Sequence, residues 1–170
     1  MTINVGTNSY VTLVEADAYF GERLNVVNWT DATDDIKERA LIMATRFIDS
    51  KWEWVGTAVS SSQDLGWPRT GVTYYDETLG SVITIPDDET PLKVKIAVYE
   101  QALHLLNNED VLSGTGRVFE NISIGPISLT DRNSTSKVSK TASMIINLLK
   151  PLAYANSRVS SMAGSLWRAW

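Results

Sequence analysis

Cysteine is absent from the chain, which excludes disulfides and thiolate metal sites. Histidine occurs once, at His104, so the His-rich sites of zinc hydrolases are ruled out as well. No apolar run approaches the ~20 residues that a membrane-spanning helix needs. The opening MTINVGTNSY has neither a basic stretch nor an apolar core, so it does not read as a secretory signal and use without export is expected. A nucleophile motif, a phosphate-binding P-loop, a GxGxxG turn and a metal-ligand cluster are all missing. These absences argue against an enzyme and predict no catalytic, cofactor-binding or metal residues. His104 falls on the less apolar arc of a helix, where a structural role fits better than a catalytic one.

Acidic side chains are also scarce, but only in one part of the chain. Residues 1–110 carry 18 acidic and 8 basic side chains, whereas residues 111–170 carry 2 and 7. No acidic side chain follows Asp131. Such a split suggests a partner of opposite charge for one part or contact between copies. The plainer alternative is that the basic residues flank a helix and solubilise a tail. The acidic groups themselves read as structural. Asp34 and Asp35 suit the positive end of a helix dipole, and Asp87, Asp88 and Glu89 suit a solvated turn.

What the sequence has in abundance is helical patterning. In residues 90–108, Leu92, Ile96, Tyr99, Leu103 and Leu106 define one face, and Val94, Val98, Ala102 and Leu105 an adjoining one. A helix apolar over so much of its circumference lies inside a fold. Thr90 and Pro91 suit its first turn. Thr12 and Glu15 have capping-box spacing, ahead of a helix expected to end near Asn25. Ile36, Ala40, Met43 and Phe47 form a stripe on a second helix, with Ile48 beside it. Val138, Ala142, Ile145, Leu148, Leu149 and Leu152 form another, which Pro151 should kink or restart.

Between these helices the period changes. Residues 72–75 and 82–85 read as short strands joined by a turn. Ile122, Ile124, Ile127 and Leu129 alternate with polar residues, a strand pattern that Gly125-Pro126 either turns into a hairpin or merely interrupts. The fold class is therefore mainly α: a four-helix bundle-like core with a small β element and an extended C-terminal arm. The domain division is 1–155 for the helical part and 156–170 for the arm.

Two features carry functional possibilities. Trp52, Trp54, Trp67, Tyr74 and Tyr75 fall within 24 residues, with Arg69 among them. Single-strand binders stack bases on aromatics in a positive groove. The acidic surplus of residues 1–110 opposes phosphate binding, so core packing is favoured for these rings. Trp67, pinned between Gly66 and Pro68, reads as a core plug, and with Arg69 it would hold the loop that closes the core. The tail is the other feature. Trp167 and Trp170 are costly to leave in water, and Trp and Arg are favoured interface anchors. The tail thus reads as a docking peptide, with folding back or disorder as the alternatives.

Three stretches taken together carry a family resemblance: SYVTLVEADAYF from Ser9, KERALIMATRF with QDLGWPRTGV, and ENISIGPISL before a helix ending in LLKPL. Their order resembles the head–tail connector (adaptor, or head-completion) proteins of tailed bacteriophages, a group including relatives labelled DnaT-like single-stranded DNA-binding. The resemblance implies a non-enzymatic virion structural protein of the neck, made in the host cytoplasm. It also implies a closed ring of about twelve copies beneath a portal protein. Such a ring extends the DNA channel, lets DNA pass without specific binding and offers a platform to a downstream neck or tail protein. The acidic body would then line the channel, and the basic arm would meet an acidic portal surface. By position, the portal contacts would be Arg158, Met162, Leu166, Trp167, Arg168 and Trp170. Ile122, Ile124, Ile127 and Leu129 would serve a subunit or tail interface, since an open strand edge invites pairing. The alternative function is a single-stranded-DNA-binding module using Trp52, Trp54 and Tyr74.

Overall fold

The computed structural model describes residues 2–107, 122–124, 127–129 and 140–155. Helix α1 (Leu13–Gly21) starts from the capping box read in the sequence: Thr12 Oγ1 accepts from the Glu15 N–H, and Glu15 reaches back to the Thr12 N–H. It stops at Gly21 rather than near Asn25, which leaves Leu24 exposed. A single turn, α2 (Val27–Thr30), follows and buries Trp29. Helix α3 (Asp34–Lys51) begins with the two aspartates in its first turn, and Asp35 pairs with Arg39 one turn on.

The buried face of α3 keeps Ala40 and Ile48 from the sequence reading but otherwise differs from the expected stripe. Ala40, Leu41, Ala44, Thr45 and Ile48 are buried, while Ile36 and Met43 are exposed. This face is the one buried where α3 packs against α4 (Leu92–Asn107), and small alanines suit a helix–helix contact. α4 also touches α2 and α5 (Lys140–Leu149). Val94, Ala97, Val98, Tyr99, Ala102 and Leu103 are all buried on it. Its first intrahelical bonds run to the Pro91 carbonyl, so Pro91 is the cap rather than the first helical residue.

Eight strands make four separate antiparallel ribbons of two strands each among the described residues. β1 (Trp52–Trp54) pairs with β8 (Ala153–Ala155), and β2 (Thr57–Ala58) pairs with β3 (Arg69–Thr70). β4 (Thr73–Asp76) and β5 (Ser81–Thr84) form a hairpin, as do β6 (Ile122–Ile124) and β7 (Ile127–Leu129). Pro151 neither kinks nor restarts α5. The chain turns there and enters β8.

This corrects the expected four-helix bundle-like core. α1 has 9 residues and α2 has 4, against 18 in α3 and 16 in α4. At 1.5 Å per residue α1 is only about 13 Å long, too short to run the length of a bundle. The whole connection from α3 to α4 is given to ribbons and turns. The architecture is mixed: α4 packs against α2, α3 and α5, and the strands form small separate two-stranded sheets. The expected C-terminal arm, 156–170, lies outside the described residues.

Candidate nucleic-acid interface

The aromatic-rich segment divides into rings that pack and one that does not. Trp67 is 1% exposed and stands edge-on to the half-buried Trp54, ring centres 5.8 Å apart. Asp49, near the end of α3, ties this corner together. It accepts hydrogen bonds from the Tyr10 hydroxyl, from Trp54 Nε1 at 3.0 Å and from the Gly66 N–H at 3.1 Å. Tyr10 in turn accepts from the Trp67 N–H at 3.2 Å. Burial, and next the Asp49 carboxylate, pushes the Tyr10 hydroxyl far above its ordinary range, so it stays a donor. A Cβ at residue 66 would overlap the Trp54 indole, which explains the glycine there.

Arg69 completes the loop. It donates to the carbonyls of Val55 at 2.7 Å, Gly66 at 3.1 Å and Gly56 at 2.6 Å. Burial lowers its pKa from the usual value, though it remains charged. Trp67 and Arg69 therefore hold the core-closing loop, and the Arg69 fork is committed to backbone. The Trp67–Pro68 peptide bond is cis. Trp52 is partly buried against the core cluster.

The β4–β5 hairpin is different. Successive residues of a strand face opposite ways. Tyr74 and its cross-strand partner Ile83 are half-buried, while Tyr75 and its partner Val82 are 61% and 64% exposed. The turn is fixed by Asp76, whose Oδ1 accepts the N–H groups of Thr78 at 3.0 Å and Leu79 at 3.2 Å. Gly80 takes a positive φ of 62° to close it.

Two hollows flank this hairpin. One, of about 480 Å³, is lined by Tyr75, Asp76, Glu77, Thr78, Lys93, Asn147, Lys150 and Pro151. It brings together the hairpin, the first turn of α4 and the end of α5. The other, of about 260 Å³, is lined by Tyr74, Ile83, Ile85, Pro86, Pro91 and Leu92 among others, and Lys93 lines it too. The Lys93 ammonium lies 4.2 Å from the Tyr74 ring centre and 4.0 Å from Asp76 Oδ2. The exposed Tyr75 ring can stack a flat, apolar-faced group, and Lys93 and Lys150 can hold an anion next to it, against the opposing charges of Asp76 and Glu77 in the same lining.

Of the rings assigned to the alternative single-strand reading, Trp52, Trp54 and Tyr74 are all partly buried and packed against the core. Tyr75 is the exposed one. Strand alternation puts it on the face opposite Tyr74, and packing against the core decides which face is exposed. The portal assignments Arg158, Met162, Leu166, Trp167, Arg168 and Trp170 lie outside the described residues. Ile122 and Ile124 are in β6, which pairs with Ile127 and Leu129 of β7 in a hairpin, the first of the two possibilities left open by Gly125-Pro126. His104 sits half-buried in the last turn of α4, and burial lowers its pKa.

With this geometry in view, comparison with protein families is decisive. The family model described as "Putative DnaT-like ssDNA binding protein" matches residues 2–169. The chain belongs to that family. No curated protein matches the chain, and no solved structure does. The resemblance to phage head–tail connectors is thereby corrected, since the matched DnaT-like family is not a connector family. The expected virion neck role falls with it, as do the portal, the downstream neck or tail protein and a ring through which DNA passes unbound. The physical reason lies in the motifs. Trp67 and Arg69, the centre of the most specific stretch, are spent on packing and on backbone carbonyls. Residues of that kind report a fold and not a partner.

Proposed function

We propose that the chain is a non-enzymatic module that binds single-stranded DNA in the hollow beneath the β4–β5 hairpin. The observation that carries this reading is the exposed Tyr75 ring beside Lys93 and Lys150, in a chain of the DnaT-like family. In this reading a base stacks on Tyr75, worth about 1–3 kcal/mol. Lys93 and Lys150 each hold a phosphate. A duplex hides its base faces, so Tyr75 favours single strands.

The acidic surplus of residues 1–110 limits long-range attraction, so binding is local and modest. Two phosphate contacts on a single strand give a slope of log K against log salt of about −1.4. The test is fluorescence anisotropy with a labelled oligothymidylate and a labelled duplex over a range of salt. Tighter binding of the single strand, with that shallow slope, is expected. Equal affinity for the duplex, or no binding at low salt, overturns the proposal.

A further inference from the structure

We propose that Asp76 is a built-in competitor for the phosphate that Lys93 holds, which keeps the affinity for DNA low. The inference rests on the single-strand reading above and assigns opposing roles within that site. Lys93 lines both hollows, the polar one beside Tyr75 and the apolar one beside Pro91 and Leu92. A strand with bases on either side of this residue must carry its phosphate across the Lys93 ammonium. The ring of Tyr74 beneath it restrains that ammonium.

Asp76 is placed to oppose the phosphate. Its Oδ2 is 4.0 Å from Lys93 Nζ, longer than a hydrogen bond. The attraction is therefore mainly Coulombic, and a phosphate oxygen that approaches Nζ displaces no hydrogen bond. Asp76 cannot readily swing aside, because its Oδ1 is held by the Thr78 and Leu79 N–H groups. The carboxylate remains near the incoming phosphate and repels it.

Asp76→Asn separates the two roles of this residue. The amide oxygen can still accept from Thr78 and Leu79, but the negative charge is gone. The experiment is a double-mutant cycle in the full chain: wild type, Asp76→Asn, Lys93→Gln and the double variant, titrated with labelled oligothymidylate at several salt concentrations. Asp76→Asn is expected to tighten binding about threefold or more, and Lys93→Gln to weaken it about fivefold. Lys93→Gln should also reduce the magnitude of the salt slope by about 0.7. In the Lys93→Gln background the gain from Asp76→Asn should shrink. A gain of equal size in both backgrounds means a general charge effect and overturns the proposal. So does unchanged binding by Lys93→Gln, and either result leaves single-strand binding itself standing. If none of the four forms binds at low salt, this proposal and the single-strand reading both fail. A misfolded variant cannot imitate the expected result, because the decisive effect of Asp76→Asn is a gain.

Discussion

Tyr19 donates its hydroxyl hydrogen to Glu100 Oε1 at 2.6 Å and so joins α1 to the middle of α4. Glu100 is fully buried, and its carboxylate is also paired with the partly exposed Arg23 guanidinium. The Tyr19 ring stacks on Tyr99 with centres 4.8 Å apart. Burial raises the pKa of both hydroxyls, that of Tyr99 to about 12. Tyr19 and Arg23 thus hold Oε1 of this buried carboxylate from one corner, while Oε2 is buried without a hydrogen-bond partner among the described residues. Glu100→Ala removes the group that Tyr19 and Arg23 share and leaves a cavity. The expected loss is about 3 kcal/mol. That corresponds to a fall in melting temperature of roughly 6–12 °C. Tyr19→Phe, which leaves Glu100 one donor short, should cost about 1.5 kcal/mol. Thermal unfolding followed by circular dichroism checks both.

The loop at Trp67 should be equally sensitive, for a different reason. Gly66→Ala forces a methyl group into the Trp54 indole and is expected to destabilise by about 1–3 kcal/mol. Arg69→Lys keeps the charge but loses the planar fork that serves three carbonyls. A loss of about 2 kcal/mol is expected. Urea denaturation should show a lower midpoint with an unchanged slope for each.

Binding and stability should separate along the two aromatic groups. Tyr75 is exposed, so Tyr75→Ala should change stability by less than about 0.5 kcal/mol. Its affinity for oligothymidylate should nevertheless fall about tenfold. Trp54→Ala should do the reverse, with lost packing and a lower melting temperature, and with binding unchanged where the protein is folded. Paired titrations and melts of the two variants test this. A Tyr75→Ala protein with wild-type affinity would count against the hollow as the binding site.

Acid should loosen the junction between α1 and α4. Burial raises the Glu15 pKa, but hydrogen bonds from Lys95 and Thr12 outweigh it, and the net shift is below the ordinary 4.5. A carboxylate whose pKa is lower in the folded state stabilises the fold above its unfolded pKa. That contribution is lost as the pH falls through the folded value. Stability should therefore decline as the pH drops below about 4.5. In Glu15→Gln this part of the decline should disappear, which melts between neutral pH and pH 3 would reveal as a flatter profile.

The helices were legible because their signals are local. The capping box at Thr12 and Glu15, the acidic first turn of α3 and the doubly apolar face of α4 each rest on residues within a turn or two of one another. The β4–β5 hairpin was legible for the same reason, from alternation around a turn. The bundle expectation failed where helix length and packing partner mattered. The α3 stripe was right at Ala40 but wrong at Ile36 and Met43, which look like core by type, whereas Leu41 and Ala44 are the residues buried.

The sequence by itself determined where α1, α3 and α4 start, that residues 72–75 and 82–85 pair as strands, that Trp67 is a core plug and that disulfides are impossible, whereas α2 was not legible in it. It did not determine which tyrosine of the Tyr74–Tyr75 pair meets solvent, because alternation supplies two faces and only packing against the core chooses between them. Nor did it reveal the hollow. A charge sum over residues 1–110 reads as hostile to phosphate, yet Lys93 from the start of α4 and Lys150 from the end of α5 meet in one recess, where they offset Asp76 and Glu77. The tertiary structure decided that. Electrostatic attraction falls off over distances in space, and the chain must fold before residues so far apart in sequence become neighbours.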